Sequence, residues 1–441
     1  MTCVGSASGW SFASGRRSVQ SASLTMSHGL TPPHVVVLSS LFPSSLQPGA
    51  GLFIRERMFR VGGQLPLAVV APTPWFPLQG LLRRWRPGFR AGAPLHEQQA
   101  GFDVWFPRFL SVPGVLKGLD GLFMALGSLP RLWRLKRAGR LDLIDAHFGY
   151  PDGYAATLLG RWLNVPVTIT LRGTEQRHAQ DATLAPRLAR ALQRATQVIA
   201  VSQSLRRVAL GLGIAANKVQ VVGNGVDLKK FSPLPRAEAR RALGLPEDAP
   251  ILVSVGGLVE RKGFHRVIDL LPALRKRFPG LLYLVVGGPS PEGDMGAELR
   301  RQVAELGLTD AVHFLGALPA DRIRQPLSAA DVFVLATRNE GWANVFLEAM
   351  ACGLPVVTTD VGGNAEVVCR PELGAVVPFG DGPRLLDALE QALLTRWDAG
   401  AIRRYAECNT WDHRVEELVA LFRRLHAKAA CAMRNACAAP L

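Results

Sequence analysis

Short, nearly continuous Val/Ile/Leu runs, separated by segments of helix length, leave this 441-residue chain few ways to fold. The second half carries ILVSVGG (Ile251 to Gly257), LYLVVGG (Leu282 to Gly288), VHFLG (Val312 to Gly316), VFVLAT (Val332 to Thr337) and PVVTTD (Pro355 to Asp360). The first half has HVVVLSSL (His34 to Leu41), LDLIDAHF (Leu141 to Phe148), VPVTITLRG (Val165 to Gly173) and QVIAVS (Gln197 to Ser202). A strand that is apolar on both faces has to be covered on both faces, which is the pattern of parallel sheets wrapped by helices. The length asks for two domains, and the turn-rich NGVDLKKFSPLPR (Asn224 to Arg236) suits a connection between them. The fold class expected is α/β, with two doubly wound sheets facing each other. A ligand at the carboxyl ends of the strands then touches both.

Composition removes other classes. Nearly half the residues are apolar, which excludes general disorder. Six cysteines (Cys3, Cys352, Cys369, Cys408, Cys431, Cys437) form no CxxC pair and no metal-ligand spacing with histidine, so they read as reduced thiols. No apolar run approaches the roughly 20 residues of a membrane span, and the first thirty residues lack the apolar stretch of a secretory signal. The expected location is cytoplasmic, with peripheral contact to the inner face of the membrane. Residues 1–30 read as a disordered leader, and Met26 as an alternative start.

The charge is unevenly placed. Residues 1–225 hold 25 Lys and Arg against 9 Asp and Glu; residues 226–441 hold 26 of each. The whole excess of +16 therefore lies in the N-terminal half, and it bears on what that half meets. RRWRPGFR (Arg83 to Arg90) and RLWRLKRAGR (Arg131 to Arg140) carry much of it. In the second run, Arg131, Arg134 and Arg137 fall on one helical stripe with Leu132, Trp133 and Leu135 beside it. Basic residues mixed with Trp and Leu suit an anionic membrane surface; a solvated basic face is the plain alternative. Nucleic acid ranks far lower, because no nucleic-acid motif is present.

The densest chemistry lies in NEGWANVFLEAMACGLPVVTTDVGG (Asn339 to Gly363). Glu340 falls on a strand-to-helix turn and Glu348 inside the following helix, roughly 12 Å along at about 1.5 Å per residue. The first N–H groups of that helix, from Gly341 through Trp342, Ala343, Asn344 and Val345, are free to meet an anion. Glu340 as a mere cap and Glu348 as a solvated residue is the plain reading. It suits Glu348 poorly, since that carboxylate sits among Phe346, Leu347, Ala349 and Met350.

Five motifs in order then carry a resemblance. GG-L-x-x-x-K-G (Gly256 to Gly263), EGWANVFLEAMACGLPVV, DVGGNAEVV, NGVD before Phe231 and TWDHRVEEL at the last helix resemble the retaining glycosyltransferases of family 4. That family has the GT-B fold, with two Rossmann-like domains and a cleft between them. The resemblance implies an N-terminal acceptor-binding domain (residues 31–225) and a C-terminal nucleotide-sugar domain (226–409). A helix at 410–428 is free to cross back, and a loose tail follows at 429–441. It implies hexosyl transfer from a nucleotide-diphosphate sugar to a lipid-linked glycan or cell-surface polysaccharide, without a metal; no D-x-D occurs in the chain. Glu340 is then the ligand of the hexose and Glu348 that of the ribose. Lys262, beside Arg261, faces the diphosphate, with Gly256 under it. Where the family commonly has Arg, this chain has Gly257. A non-catalytic sugar-nucleotide or membrane-binding protein of the same fold, or a sugar-nucleotide hydrolase or epimerase, stays open as an alternative.

The N-terminal half contributes fewer candidates. Gly51, closing Pro48–Gly51, lets the backbone approach a phosphate. His147 ends the LIDAH strand, where the resemblance places a histidine facing the donor sugar. Arg172 stands where many members of the family have a histidine, which suggests an anionic acceptor or a phosphate contact; an exposed turn residue paired with Glu175 is the alternative.

Overall fold

The computed structural model describes residues 31–77, 79–85, 94–114, 116–290 and 292–438, without the side chains of residues 83, 433, 434 and 436–438. The expected leader, Met26 and Arg86 to Arg90 lie outside the described residues.

Two parallel sheets dominate. In the first half the strands are β1 (Val35–Leu38), β2 (Leu67–Val70), β3 (Thr73–Trp75), β4 (His96–Gln99), β5 (Phe102–Trp105), β6 (Arg108–Leu110), β7 (Leu143–His147), β8 (Val167–Leu171), β9 (Gln197–Ala200) and β10 (Val219–Val221). Eight of them form one sheet in the order β10-β9-β8-β7-β1-β2-β5-β4, parallel except at the β4 edge, while β3 and β6 make a separate ribbon. In the second half β11 (Ile251–Val255), β12 (Leu282–Val286), β13 (Val312–Gly316), β14 (Val332–Leu335), β15 (Val356–Thr359) and β16 (Gly374–Val377) form an all-parallel sheet ordered β13-β12-β11-β14-β15-β16. Both orders reverse direction once, between β1 and β7 and between β11 and β14. A crevice opens at each reversal.

Burial follows the patterning. All residues of β1, β7, β8, β11, β12, β14 and β15 are buried, as two-sided coverage requires. The helix Leu52–Gly62 buries Ile54, Arg57, Met58 and Val61, one face of a 3.6-residue repeat. The last helix crosses back: Val415, Leu418, Val419, Phe422 and Leu425 join Val35, Val37, Ile54 and Met58 in one core beside the first sheet. The tail expected to be loose from Ala429 is instead helical to Ala438. Its Ala-rich composition favours helix, and the packed turns before it supply the nucleus.

The segment after β10 is pinned rather than free. Val226 pairs with Thr410, its N–H donating to the Asn409 carbonyl at 3.0 Å, and Phe231 is buried in the second half's core. No helix among the described residues is long and apolar enough to cross a membrane.

Candidate active site

Both reversal points deliver polar groups. After β14, the Ala336–Ala343 turn brings Glu340 back toward the short turn Glu260–Lys262 that follows β11. The Lys262 Nζ donates to Glu340 Oε1 at 2.5 Å, and Arg261 Nη1 reaches the same oxygen at 3.2 Å. Thr337 Oγ1 lies 3.3 Å from it. Arg261 is held in turn by Glu292, at 2.5 and 2.8 Å, so its guanidinium is fixed at the edge of the crevice. The aliphatic part of Lys262 runs past Gly256, where a Cβ would stand 3.5 Å from it. Thus Lys262, Arg261 and Glu340 form one charged cluster. A Cβ on Gly257 would stand 3.0 Å from the Ser290 Cβ, which accounts for a small residue there.

The helix Asn344–Ala351 begins beside this cluster, and its Ncap Ala343 supplies no side-chain acceptor. Its first N–H groups are therefore open to an anion, with the dipole favouring negative charge. Glu348 is partly buried one turn further on and makes no side-chain hydrogen bond among the described residues. Burial, reinforced by the Glu56 carboxylate, pushes its carboxyl up to about 7, against the opposing pull of Lys230 and Lys262. The acid is thus partly buried and without a side-chain hydrogen-bond partner among the described residues, in line with its apolar sequence neighbours.

Glu348 titrates near 4.5 when the chain is unfolded, so the native ligand-free state binds the extra proton. Its contribution to stability is full below about pH 4.5 and is lost as the pH rises through about 7. Glu348→Gln forfeits no hydrogen bond and removes the loss. At pH 8 the variant should be more stable than the parent by on the order of 2 kcal/mol, and near pH 4.5 the gap should close. Thermal midpoints measured across that range check this, and parallel curves would sink it.

The first half contributes a buried chain of polar groups. Asp145 and His147 lie two residues apart on β7, hence on one face, with Thr168 of β8 in register opposite Asp145. His147 is fully buried. Its Nδ1 accepts from Arg172 Nη2 at 2.8 Å and Nε at 3.2 Å, which leaves the hydrogen on Nε2, 3.2 Å from Asp145 Oδ2. Burial and then the Arg172 cation hold the imidazole down at about 4, so it is neutral near pH 7. Arg172 continues to Asn224 Oδ1 at 2.8 Å, and Asn224 Nδ2 donates to Asn344 Oδ1 at 2.8 Å. His147–Arg172–Asn224–Asn344 thus runs from the first sheet to the start of the second half's helix.

Arg172 is therefore not an exposed turn residue paired with Glu175. It is buried, and Glu175 accepts from the backbone N–H groups of Gly149, Arg172 and Gly173 at 2.8, 3.0 and 2.8 Å and from the Thr174 hydroxyl at 3.4 Å, with no bond from the Arg172 guanidinium. Gly51 has its own structural reason. Its φ is +66°, and a Cβ would stand 2.4 Å from the Leu41 carbonyl oxygen. Trp342 turns its ring between the two halves' cores, against Gly223. Asn224 is a site residue that the NGVD motif alone does not mark; its signal is an amide beside a glycine at the junction of the two halves. A second strap is Glu366, which accepts from the N–H groups of Gln203 and Ser204 at 2.6 and 2.9 Å.

The basic run Arg131 to Arg140 is only partly a free face. Leu132 and Leu135 are buried in the core, and the Arg131 guanidinium lies 3.4 Å from the Trp105 ring centroid. Leu132 and Leu135 therefore cannot meet a membrane.

The comparisons with known proteins agree with this geometry. The model of "Glycosyltransferase Family 4" matches residues 85–230 and that of "Glycosyl transferases group 1" residues 235–407. A D-inositol 3-phosphate glycosyltransferase of Jonesia denitrificans is 31% identical over 321 residues, 67% of this chain and 74% of that protein. The chain belongs to the group 1, family 4 glycosyltransferases. TuaC of Bacillus subtilis, a glycosyltransferase assigned to teichuronic acid biosynthesis, is 29% identical over 395 residues, 87% of this glycosyltransferase and 92% of TuaC. The sucrose-phosphate synthase structure from Thermosynechococcus elongatus superposes with a TM-score of 0.70 at 22% identity, covering 90% of this chain and all of that one. The glycosyltransferase has the GT-B fold. Lys262, Glu340 and Glu348 lie within the group 1 match, His147, Arg172 and Asn224 within the family 4 match, and Gly51 outside both.

Proposed function

We propose that this glycosyltransferase moves a hexose, with retention of configuration and without a metal, from a nucleotide-diphosphate sugar to a lipid-linked glycan or cell-surface polysaccharide. The observation that carries the reading is the convergence of Lys262, Arg261 and Glu340 on the uncapped start of Asn344–Ala351, at the reversal point of the second sheet. In this reading the diphosphate lies at that helix start. Negative charge growing on the leaving phosphate is met by Lys262, Arg261 and the backbone N–H groups of Trp342 to Val345, all in place before reaction. Fixed cations and dipoles there do the work that a divalent ion does in other transferases.

Glu340 accepts hydrogen bonds from the hexose hydroxyls, with Lys262 and Arg261 holding the carboxylate in place. Glu348, ionised above about pH 7, accepts from the ribose hydroxyls. His147 is neutral near pH 7, but it is buried with Nδ1 taken by Arg172 and Nε2 beside Asp145. It therefore does not face the sugar as the resemblance implied and acts as a positioning group behind the cleft. Arg172 orients it and ties it to the donor helix through Asn224. The first half then receives the acceptor; Arg172, buried and already bonded to His147 and Asn224, shapes that side of the cleft and does not touch the acceptor. A teichuronic acid role for TuaC is in line with an anionic polysaccharide acceptor.

The test is a panel of sugar nucleotides scored by thermal shift, followed by product analysis with the best binder. One nucleotide-diphosphate sugar should raise the midpoint, by the logarithm of its excess over Kd. Chelator should leave turnover unchanged. Failure of every sugar nucleotide to bind defeats the reading. Nucleotide release at full rate without acceptor makes the protein a hydrolase instead.

A further inference from the structure

Around the β3–β6 ribbon the first half exposes several large apolar side chains among the described residues. Trp75 and Leu110 are register partners on that ribbon, both exposed, while Phe109 points inward and is buried. The two outward side chains therefore share one face. The next helix, Gln79–Trp85, exposes Leu81, Leu82 and Trp85, positions i, i+1 and i+4 of one stripe, with Gln79 buried. Trp85 is 83% exposed, Leu81 54% and Leu116, on the loop after β6, 60%. Scattered single apolar residues are ordinary; a Trp/Leu stripe beside an apolar ribbon face marks an interaction surface.

Its charge says what it meets. Residues 73–85 and 108–119 contain Arg83, Arg84, Arg108 and Lys117 and no Asp or Glu. Arg84 and Arg108 are exposed and form no ion pair among the described residues. Lys117 is paired with Asp120 at 3.2 Å. Topology fixes the location. β3 follows the carboxyl end of β2, and β6 follows that of its parallel neighbour β5. The ribbon therefore rises from the same sheet edge at which His147 ends β7.

We propose that this ribbon and helix seat the enzyme on an anionic bilayer, through Trp75, Leu81, Leu82, Trp85, Leu110 and Leu116 in the interface and Arg84 and Arg108 against lipid headgroups. Indole and leucine side chains occupy the headgroup boundary, and basic residues near an anionic leaflet add electrostatic attraction that salt screens. The surface replaces the Arg131–Arg140 run, whose leucines are buried. For its purpose this rests on the lipid-linked acceptor reading: a bilayer met at this edge presents an acceptor headgroup to the cleft.

The test is sedimentation of the full chain with vesicles of phosphatidylcholine, alone or mixed with phosphatidylglycerol, at low and high salt. The mixed vesicles should bind the protein, the plain ones much less, and salt should weaken the binding. The double variant L81S/W85S should lower partitioning at least tenfold, and R84Q/R108Q should remove most of the preference for anionic lipid. Both should keep the parental thermal midpoint and nucleotide-sugar thermal shift. Absence of binding by folded parent at low salt overturns the proposal. So does equal binding by parent and L81S/W85S, or a parental dimer that L81S/W85S dissolves, which would make the patch a contact between copies. If vesicles bind while no sugar nucleotide does, the catalytic reading fails and this one stands.

Discussion

Glu340→Gln should lower transfer by on the order of 10²- to 10³-fold, with the fold intact. In the ligand-free enzyme the Glu340 carboxylate has both Lys262 and Arg261 on one oxygen. Those two cations need an anion between them, and the hexose needs a charged acceptor for its hydroxyls. The amide keeps the shape, loses the charge and offers a donor where an acceptor is wanted. Loss of one fixed charge-stabilising contact in a dry site costs roughly 3–4 kcal/mol in the transition state. The loss should appear mainly in kcat, since Lys262 still meets the phosphate. Initial rates with saturating donor, together with the donor thermal shift, separate the two. Unchanged turnover would remove Glu340 from the mechanism.

Gly341→Ala should be nearly as damaging, for a steric reason alone. A Cβ on Gly341 would stand 2.1 Å from the Arg172 carbonyl oxygen and 2.8 Å from the Gly173 Cα, both backbone of the opposite half. No rotamer relieves a clash with main chain, so the halves must separate locally. That stretches Arg172–Asn224–Asn344, whose two links are each 2.8 Å. A misplacement near 1 Å costs about 10²-fold when chemistry depends on alignment. We expect a loss of roughly that size in kcat/KM, with little change in donor binding, because Lys262, Glu340 and Glu348 all remain in the second half. Small-angle scattering should report a more open pair of lobes. Normal turnover in a variant that still scatters as the parent would show that contact to be unimportant.

Much of this was legible because the relevant physics is local. Two-sided apolar runs dictate parallel strands, and the helix-start residues around Glu340 follow from where β14 stops and Asn344–Ala351 begins. The depth of Glu348 was likewise readable, since its neighbours in sequence are its neighbours in the core. Arg172 was less legible. A polar residue after a strand reads as exposed unless one knows that the opposite half closes over it. The two leucines beside the Arg131 stripe were less legible for a related reason: periodicity gives a face of a helix but not what lies against it, and here the core takes Leu132 and Leu135 while Trp133 stays exposed. The same blindness hid Trp75 and Leu110, whose exposure is a property of packing, whereas Trp85 already lay in the basic run Arg83 to Arg90.

Patterning within some thirty residues was enough for the two sheets and for the turn and helix that carry Glu340 and Glu348. Lys262 came from the resemblance, and its bond to Glu340 spans 78 positions. Only the tertiary structure decided which groups meet across the cleft: Arg172 on His147, Asn224 joining both halves, Glu366 strapped to the helix Gln203–Gly211. Such partners lie up to 163 positions apart. Their pairing is set by how two independently patterned sheets are brought face to face, and single-chain periodicity carries no term for that.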